Sequence, residues 1–282
     1  MPHFLFAFCL STLLVVYTQK KKSLSKDGAV GAFILGMATF SSSFNVFTVV
    51  LLAFFLSSSK LTKFKAERKR ALEADYEAAS ERNLIQVICN GLLGGIAVSL
   101  FQVLVEQHNG LACYDKAPWS TMLLWAYIGK DTMVVVQVIR ELGILNKEWP
   151  ILITRFKKVP PGTNGGVSGL GLTASLAGGG FIGLMAALTL WFDQPCHGFA
   201  WEIILVGLLS GIGGSLIDSI LGATVQQSLY SEDKKMIVHE KRSKDEKVKV
   251  ISGIPLLDNH QVNFASSLLT TSLCVVAAWY LH

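Results

Sequence analysis

Residues 203–221 read IILVGLLSGIGGSLIDSIL, a run of 19 residues in which Asp218 is the one charged side chain. A membrane-spanning helix needs about 20 apolar residues, so this run is long enough to cross the hydrocarbon of a bilayer. Ser210, Gly214 and Gly222 lie at four-residue intervals from Asp218 and therefore share its helix face. The run predicts a transmembrane helix that packs closely against a neighbour and carries a carboxylate inside the membrane.

The rest of the composition agrees with a membrane protein. Of the 282 residues, 51% are hydrophobic and only 16% are charged, whereas soluble domains have about 25% charged residues. These figures exclude a disordered chain, a disulfide scaffold and a coiled coil. The net charge is +5, but the basic residues stand between apolar runs, without an aromatic-basic platform or zinc-ligand spacing. We therefore expect no nucleic-acid partner.

The pattern of apolar runs predicts an all-α fold, a polytopic transmembrane helical bundle forming a single integral membrane domain over residues 1–282. Region 29–56 is too long for one ordinary span, and Ser41, Ser42, Ser43 and Asn45 interrupt it. We interpret it as two short helices that form a tilted or re-entrant hairpin. The predicted segments, about eight with this hairpin, are 4–17, 29–40, 46–56, 84–105, 121–139, 167–192, 203–221 and 262–281.

The distribution of basic residues predicts the orientation. Loops 20–28, 58–83, 140–166 and 222–261 hold 4, 7, 5 and 7 lysines and arginines, which is 23 of the 25 in the chain. The positive-inside rule makes these loops cytosolic and both termini non-cytosolic. Because no targeting signal is evident, we expect the endoplasmic reticulum or another endomembrane. Cys113 and Cys196 fall in the opposite loops, where they either pair, if that side is oxidising, or stay as free thiols.

Ionisable side chains inside predicted spans are costly and usually functional. Asp131 and Asp218 are therefore candidate catalytic residues and, with Asp258, candidate metal ligands. The competing interpretations are an interhelical hydrogen bond for Asp218, a structural ion pair with another helix for Asp131 and a helix cap for Asp258. Lys130 and Asp131 point about 100° apart on a helix, so we do not expect them to neutralise each other. Polar support is expected from Ser215, Ser219, Asn259 and Asn263.

Residues 157–168 read KKVPPGTNGGVS, in which Thr163 or Asn164 can cap the sixth helix and the glycines permit close backbone approach. A helix N-terminus suits phosphate, although a capped turn with interfacial lysines explains the same residues. The candidate phosphate-binding residues are Lys60, Lys63, Lys158, Thr163, Asn164, Gly165 and Gly166. These residues and the candidate carboxylates all fall on or near the predicted cytosolic side. Lysines, a helix N-terminus and several carboxylates are together the groups that Mg²⁺-dependent phosphate chemistry needs.

Several stretches resemble the transmembrane protein 19 family, a membrane domain of unknown function that also includes the plant phytyl-phosphate kinase. The resemblance implies a CTP-dependent or other nucleoside-triphosphate-dependent kinase that phosphorylates a lipid such as a polyprenyl monophosphate. The chain looks like the animal member of that family. The matching stretches are 20–24, 27–29, 55–63, 82–83, 86–87, 89–91, 158–160, 162–167, 214–215, 218–219, 221–224, 255, 257–259 and 262–263.

One departure from the family pattern lies in the fifth span. The family reads Gly-Asp-Thr-Trp-Ala-Ser-Glu, whereas Gly129-Lys130-Asp131-Thr132-Met133 inserts a lysine and lacks the Trp-Ala-Ser run. Glu141 would then be the displaced second carboxylate. Either the site tolerates this change, or the chain is catalytically impaired, or it is a splice or gene-model variant. Three functional hypotheses follow: an active isoprenoid-phosphate kinase, a degenerate family member acting through lipid or partner binding, and a small-solute transporter.

Overall fold

The computed structural model of the protein describes residues 2–21, 23–63, 82–107, 118–143, 149–193, 198–233, 235–238 and 247–281. Most of these residues are helical, which confirms the all-α polytopic fold class. Each predicted membrane segment coincides with one helix. The described helices are α1 Pro2–Lys20, α2 Lys26–Phe40, α3 Asn45–Lys63, α4 Leu84–Phe101, α5 Pro118–Gly143, α6 Gly169–Asp193, α7 Trp201–Thr224 and α8 Asn259–Leu281.

Within the described residues, five stretches of helix are long and apolar enough to cross a membrane, namely His3–Lys20, Leu84–Glu106, Gly169–Asp193, Trp201–Thr224 and Asn259–Leu281. The second of these continues α4 through a π-helical turn over Gln102–Glu106. Helices α3 and α5 extend beyond the predicted segments, so the predicted loops 58–83 and 140–166 begin inside helices. A helix keeps its internal hydrogen bonds after it leaves the hydrocarbon, so the change in polarity marks the bilayer boundary better than the end of the helix.

Helices α2 and α3 form the predicted hairpin, which runs along most of α4. At the start of α2, a Cβ atom on Gly28 would lie 2.5 Å from the carbonyl oxygen of Arg82, just before α4. At the turn, Gln102 Nε2 donates hydrogen bonds to the Ala38 carbonyl at 3.0 Å and to Ser41 Oγ at 3.1 Å. The hairpin therefore reaches the π-helical end of α4.

Helices α6 and α7 pack backbone against backbone through small residues. A Cβ atom on Gly211 would lie 2.5 Å from the Ser175 carbonyl oxygen, and one on Gly183 would lie 2.8 Å from the Ile203 carbonyl oxygen. Side chains at these glycines would separate the two helices. The prediction that the helix over residues 203–221 packs closely against a neighbour is confirmed.

An aromatic cluster joins the hairpin to α4 and α5. The ring of Phe47 lies 4.9 Å from that of Phe101 and 4.8 Å from that of Tyr127, measured between centroids. Tyr127 also donates a hydrogen bond to the Phe47 carbonyl oxygen at 3.0 Å. The buried phenol is thus satisfied by the backbone of α3, and the cluster positions α5, which carries Asp131.

Short strands, which the sequence analysis did not predict, occupy the connections beside α7. Strand β1 (Ile151–Leu152) pairs antiparallel with β2 (Gly166–Val167). In the connection from α7 to α8, expected only as a charged excursion, β3 (Ser228–Ser231) lies between β4 (Met236–Val238) and β5 (Val248–Ser252), antiparallel to both. The strands are two to five residues long, too short for their hydrophobic alternation to stand out among the charges.

Candidate functional site

The loop 160–166 lies directly on the C-terminal end of α7. Gly165 has a φ of +79°, and a Cβ atom there would lie 2.7 Å from the Cα of Ala223. A Cβ atom on Gly222 would in turn lie 3.1 Å from the Gly165 nitrogen. Glycine is therefore required on the loop side by both conformation and space, and the loop backbone approaches the last turn of α7.

The small sheet holds the same loop from the other side. The Asn164 backbone N–H donates to Ser228 Oγ at 2.9 Å, and Ser252 Oγ donates to the Asn164 carbonyl at 3.3 Å. Since Ser228 and Ser252 belong to β3 and β5, the sheet orients both backbone groups of Asn164. The sequence analysis missed these two serines because nothing in their local sequence indicates a distant partner.

The expectation that Thr163 or Asn164 caps the sixth helix is wrong. Helix α6 begins at Gly169, where the Gly171 N–H donates to Ser168 Oγ at 3.1 Å. Thr163 Oγ1 instead donates to the Pro160 carbonyl at 2.7 Å within its own turn. Strand β2 separates residues 163–165 from α6, and Gly166 belongs to that strand. These residues can therefore contribute backbone groups of a loop, but they do not form a helix N-terminus.

Asp218 lies one helical turn deeper in the membrane than Gly222. Four residues of α-helix correspond to a rise of about 6 Å. The side chain of Asp218 is 4% exposed, and Ser266 Oγ of α8 donates to its Oδ1 at 3.2 Å. Ser266 also contacts the Asn263 carbonyl oxygen, at 3.0 Å. Ser266 thus links Asp218 to the backbone of α8 at Asn263, one turn nearer the start of that helix.

The sequence analysis missed Ser266, although a signal was present. Asn263, Ser266 and Thr270 follow one another at spacings of three and four residues in an apolar helix. That spacing places all three on one face, and Thr270 does face Gly214, where a Cβ atom would lie 3.1 Å from the Thr270 hydroxyl. The polar face of α8 therefore packs against the face of α7 that carries Gly214 and Asp218.

The other predicted polar residues stand around this pair of helices. Ser215 and Ser219 are buried on α7, at 4% and 2% exposure. Asn259 is exposed at the start of α8, where its Oδ1 accepts a hydrogen bond from Gln226 Nε2 at 3.4 Å. Gln226 lies two residues after the end of α7, so this contact ties the end of α7 to the beginning of α8.

Asp131 has a different environment on α5. Its side chain is fully buried and forms an ion pair with Lys130, which is itself 3% exposed. The expectation that these neighbours do not neutralise each other is wrong, because the long lysine side chain bridges the angle between adjacent helix positions. Gly94 on α4 provides the space, since a Cβ atom there would lie 2.6 Å from Lys130 Nζ.

The two intramembrane carboxylates lie at different levels of the bundle. Gly129 of α5 is level with Ser210 of α7, because a Cβ atom on Gly129 would lie 3.6 Å from the Ser210 hydroxyl. Met133 is in the same way level with Gly214. Asp131 therefore lies between these two levels, whereas Asp218 lies a full turn beyond the second.

Asp258 acts as a helix cap. Its carboxylate Oδ1 accepts a hydrogen bond from the Gln261 N–H at 2.8 Å, and its own N–H donates to Gln261 Oε1 at 2.9 Å. This reciprocal pair is a capping box at the start of α8. In the part of the chain that the structure describes, no three His, Cys, Asp or Glu side chains come together in a group that could hold a metal ion.

Of the three lysine candidates, Lys158 is the one whose side chain the structure describes. Lys158 is exposed and bridges to Ile151 in a β-hairpin. Lys60 and Lys63 belong to the last turns of α3, but their side chains lie outside the described residues, as does that of Glu141. Cys113 and Cys196 also lie outside them.

A polar clamp missed by the sequence analysis joins the start of α2 to the start of α4. Ser25 Oγ donates to the Arg82 carbonyl at 3.2 Å, and the Leu84 N–H donates to Asp27 Oδ2 at 3.2 Å. The neighbouring Ser25 side chain and, after it, the Leu84 N–H lower the pKa of the exposed Asp27. This clamp connects two of the basic segments, 20–28 and 58–83.

Comparison with known proteins decides the family. The profile of the family described as integral membrane protein DUF92 matches residues 9–271. The chain belongs to the DUF92 family. The resemblance to the transmembrane protein 19 family, inferred from the sequence, is confirmed by this match.

Relatives of this DUF92 protein occur in plants and archaea. Protein PGR of Arabidopsis thaliana is 36% identical over 287 residues, covering 98% of this chain and 96% of PGR. An uncharacterized membrane protein of Methanocaldococcus jannaschii is 29% identical over 220 residues, covering 76% and 80%. The chloroplastic protein VTE6 of Arabidopsis thaliana is 26% identical over 206 residues, covering 72% of this chain and 56% of VTE6. No solved structure matches the chain.

Proposed function

We propose that this DUF92 protein transfers a phosphoryl group from a nucleoside triphosphate to an isoprenoid monophosphate at the membrane surface. The reacting groups would meet between the end of α7, the start of α8 and the loop 160–166. Asp218 is the central carboxylate of this proposed site. The resemblance to the family of the plant phytyl-phosphate kinase supports both the reaction type and the class of lipid.

The observation that carries the proposal is the position of Asp218. A carboxylate within a transmembrane helix is costly to insert, so such residues usually have a function. Asp218 lies one turn below Gly222, where the loop backbone of Asn164 and Gly165 approaches α7. In the proposed arrangement, a lipid phosphate enters from the bilayer and a nucleotide enters from the aqueous side of the loop.

The residues of the proposed site can offer a Mg²⁺ ion one carboxylate ligand. Mg²⁺ at phosphotransfer sites is usually held by one or two carboxylates together with substrate phosphates and water. Asp218 supplies one carboxylate, with the hydroxyl of Ser266 beside it. Asp131 is compensated by Lys130, and Asp258 caps α8, so we do not assign either to the metal. Bound Mg²⁺ would neutralise charge on the transferring phosphates.

The reaction requires no oxidant and no additional reactant. An oxygen of the lipid monophosphate attacks the γ-phosphorus of the nucleotide and forms one P–O bond. The bond between the γ-phosphorus and the β–γ bridging oxygen breaks, and a nucleoside diphosphate leaves. We propose that loop 160–166 orients the phosphates with its backbone and that Asp218 positions the reacting groups. CTP is the proposed donor, and an endomembrane with this site on the cytosolic side is the proposed location.

A second function is favoured by one observation. The pairing of Asp131 with Lys130 removes a free carboxylate from α5, where the family pattern places Asp next to Gly without an intervening lysine. A protein that binds an isoprenoid phosphate without phosphorylating it would be compatible with this compensated charge. The two functions differ in whether product forms.

The test is phosphoryl transfer from labelled CTP and ATP to isoprenyl monophosphates, using purified protein in lipid bilayers. We expect labelled diphosphate from the wild type and at least a 100-fold lower rate from Asp218→Asn, on the order of what loss of an electrostatic catalytic group costs. Asp193→Asn is the matched control, because Asp193 is exposed at the end of α6. It should retain the full rate.

Three other outcomes would redirect the proposal. Product that persists in Asp218→Asn would remove Asp218 from the site. Binding of the lipid phosphate without product, while a plant phytyl-phosphate kinase is active in the same assay, would establish the second function. Flux of a solute across proteoliposomes without nucleotide would instead indicate a transporter.

A further inference from the structure

A short β-hairpin projects beside the end of α7, and we call residues 149–159 the basic hairpin. Its backbone closes through hydrogen bonds from the Leu152 N–H to the Lys157 carbonyl at 2.9 Å and from the Val159 N–H to the Pro150 carbonyl at 2.9 Å. Ile151 and Lys158 are directly opposite each other. The turn between the two arms ends at Phe156.

The two faces of the basic hairpin differ in burial. Leu152 and Val159 are 2% and 6% exposed and pack in one cluster with Ala223 of α7. Trp149 and Ile151, two residues apart, are 53% and 46% exposed. Because side chains alternate across a strand, Trp149 and Ile151 share the face opposite Leu152, and the cross-strand partner Lys158 joins them.

The tip of the basic hairpin adds a further exposed aromatic ring. Phe156 is 82% exposed and has a φ of +52°. A bulky residue rarely adopts this left-handed conformation, and packing does not explain it here because the ring contacts little of the protein. The fold therefore holds an apolar side chain away from the protein at a cost in backbone energy.

The hairpin is also strongly basic. Arg155, Lys157 and Lys158 are all exposed, and residues 149–168 contain no Asp or Glu. Cations therefore surround the exposed apolar side chains, with no acid in the segment to pair with them. A soluble anion would satisfy the cations but would leave Trp149, Ile151 and Phe156 in water.

The position of the basic hairpin indicates which ligand can contact both its cations and its exposed apolar side chains. Ala223, against which it packs, is the penultimate residue of the transmembrane helix α7. The hairpin is therefore level with the ends of the spans, where lipid headgroups lie. Tryptophan and lysine are typical of this interface, because their apolar parts enter the bilayer while their polar ends stay hydrated.

We propose that the basic hairpin is a binding surface for anionic phospholipid. Arg155, Lys157 and Lys158 contact the headgroups, and the exposed apolar side chains of Trp149, Ile151 and Phe156 insert into the interface. Leu152 and Val159 transmit this attachment to α7. The proposal does not depend on phosphotransfer, since it uses neither Asp218 nor a nucleotide.

The test uses full-length protein in nanodiscs of phosphatidylcholine alone or with 30% phosphatidylserine. Hydrogen exchange should be slower over residues 149–158 of the wild type when phosphatidylserine is present. The variant R155Q/K157Q/K158Q should lose this protection. In native mass spectrometry, we expect its affinity for phosphatidylserine to fall at least about five-fold, the effect of one cation near a membrane surface.

A matched control distinguishes lipid binding by the basic hairpin from a non-specific effect of removing three positive charges. The variant K235Q/K247Q/K249Q removes three exposed cations from the neighbouring sheet region and should retain the phosphatidylserine-dependent protection. Phe156→Ser should weaken it, whereas Phe156→Trp should preserve it. Equal lipid affinity in both triple variants, or no difference between the two nanodisc compositions in the wild type, would overturn the proposal. The thermal stability of the hairpin variants in detergent shows whether they are folded.

Discussion

Asp131 and Asp218 are both buried carboxylates in neighbouring helices of the bundle, yet their surroundings differ. Asp131 on α5 is paired with the adjacent Lys130, and its Oδ2 has no hydrogen-bonding partner in the described part of the chain. Asp218 on α7 accepts a hydrogen bond from Ser266 and lies beneath the loop that carries Asn164. The difference teaches that a buried carboxylate can be held by a cation of its own helix, as Asp131 is, or by a hydroxyl of a neighbouring helix, as Asp218 is.

The largest effect is expected from breaking the compensated pair. Lys130→Met leaves the Asp131 carboxylate buried without its cation and should cost about 3–5 kcal/mol of folding free energy. This corresponds to a fall of roughly 10 °C in the melting temperature, measured in detergent. The double variant K130M/D131L should recover most of the loss. A single variant as stable as the wild type would show that Asp131 is satisfied by other groups.

The second largest effect is expected in the loop 160–166, which lies above Asp218. Gly165→Ala introduces a Cβ atom against Ala223 at a φ of +79° and should destabilise the loop by about 1–3 kcal/mol. Hydrogen exchange over residues 160–166 should accelerate. Gly169→Ala is the matched control, because a Cβ atom there meets nothing within 4 Å. Similar exchange in the two variants would argue against close seating of the loop on α7.

A smaller loss of folding free energy is expected when Ser266, the hydrogen-bond partner of Asp218, is changed. Ser266→Ala removes one hydrogen bond to the carboxylate and should cost about 0.5–1.5 kcal/mol, seen as a modest decrease in melting temperature. Asp218 keeps its place on α7 in this variant, so the proposed phosphotransfer should be reduced less than by Asp218→Asn. A larger stability loss than that of Lys130→Met would reverse the comparison between the two sites.

The smallest effect concerns Asp27, a carboxylate in water. Its hydrogen bonds lower its pKa from the ordinary value of 3.8, so they stabilise the folded state above about pH 4 and are lost as the pH falls through the lowered pKa. Asp27→Asn should therefore be slightly less stable than the wild type at neutral pH. The difference should shrink in acid, as thermal unfolding in a pH series would show. A constant difference would mean that ionisation is not involved.

The hairpin α2–α3 illustrates what could be predicted from local sequence. Its serine-rich turn at residues 41–43 interrupts an apolar run, and helices end where such a change in pattern coincides with poor helix formers. The cap of α6 could not be predicted in the same way. Thr163, Asn164 and Ser168 are all good capping residues, and the choice of Ser168 depends on β2, whose pairing partner lies near residue 151.

Hydropathy and the distribution of charge are properties of the linear chain. The sequence by itself therefore determined the bundle, its segments and the two intramembrane carboxylates. The tertiary structure alone decided that Gly94 gives Lys130 space to reach Asp131, that Ser266 contacts Asp218 and that loop 160–166 seats on Gly222. Such contacts depend on the relative depth and rotation of packed helices, which small residues permit but do not specify.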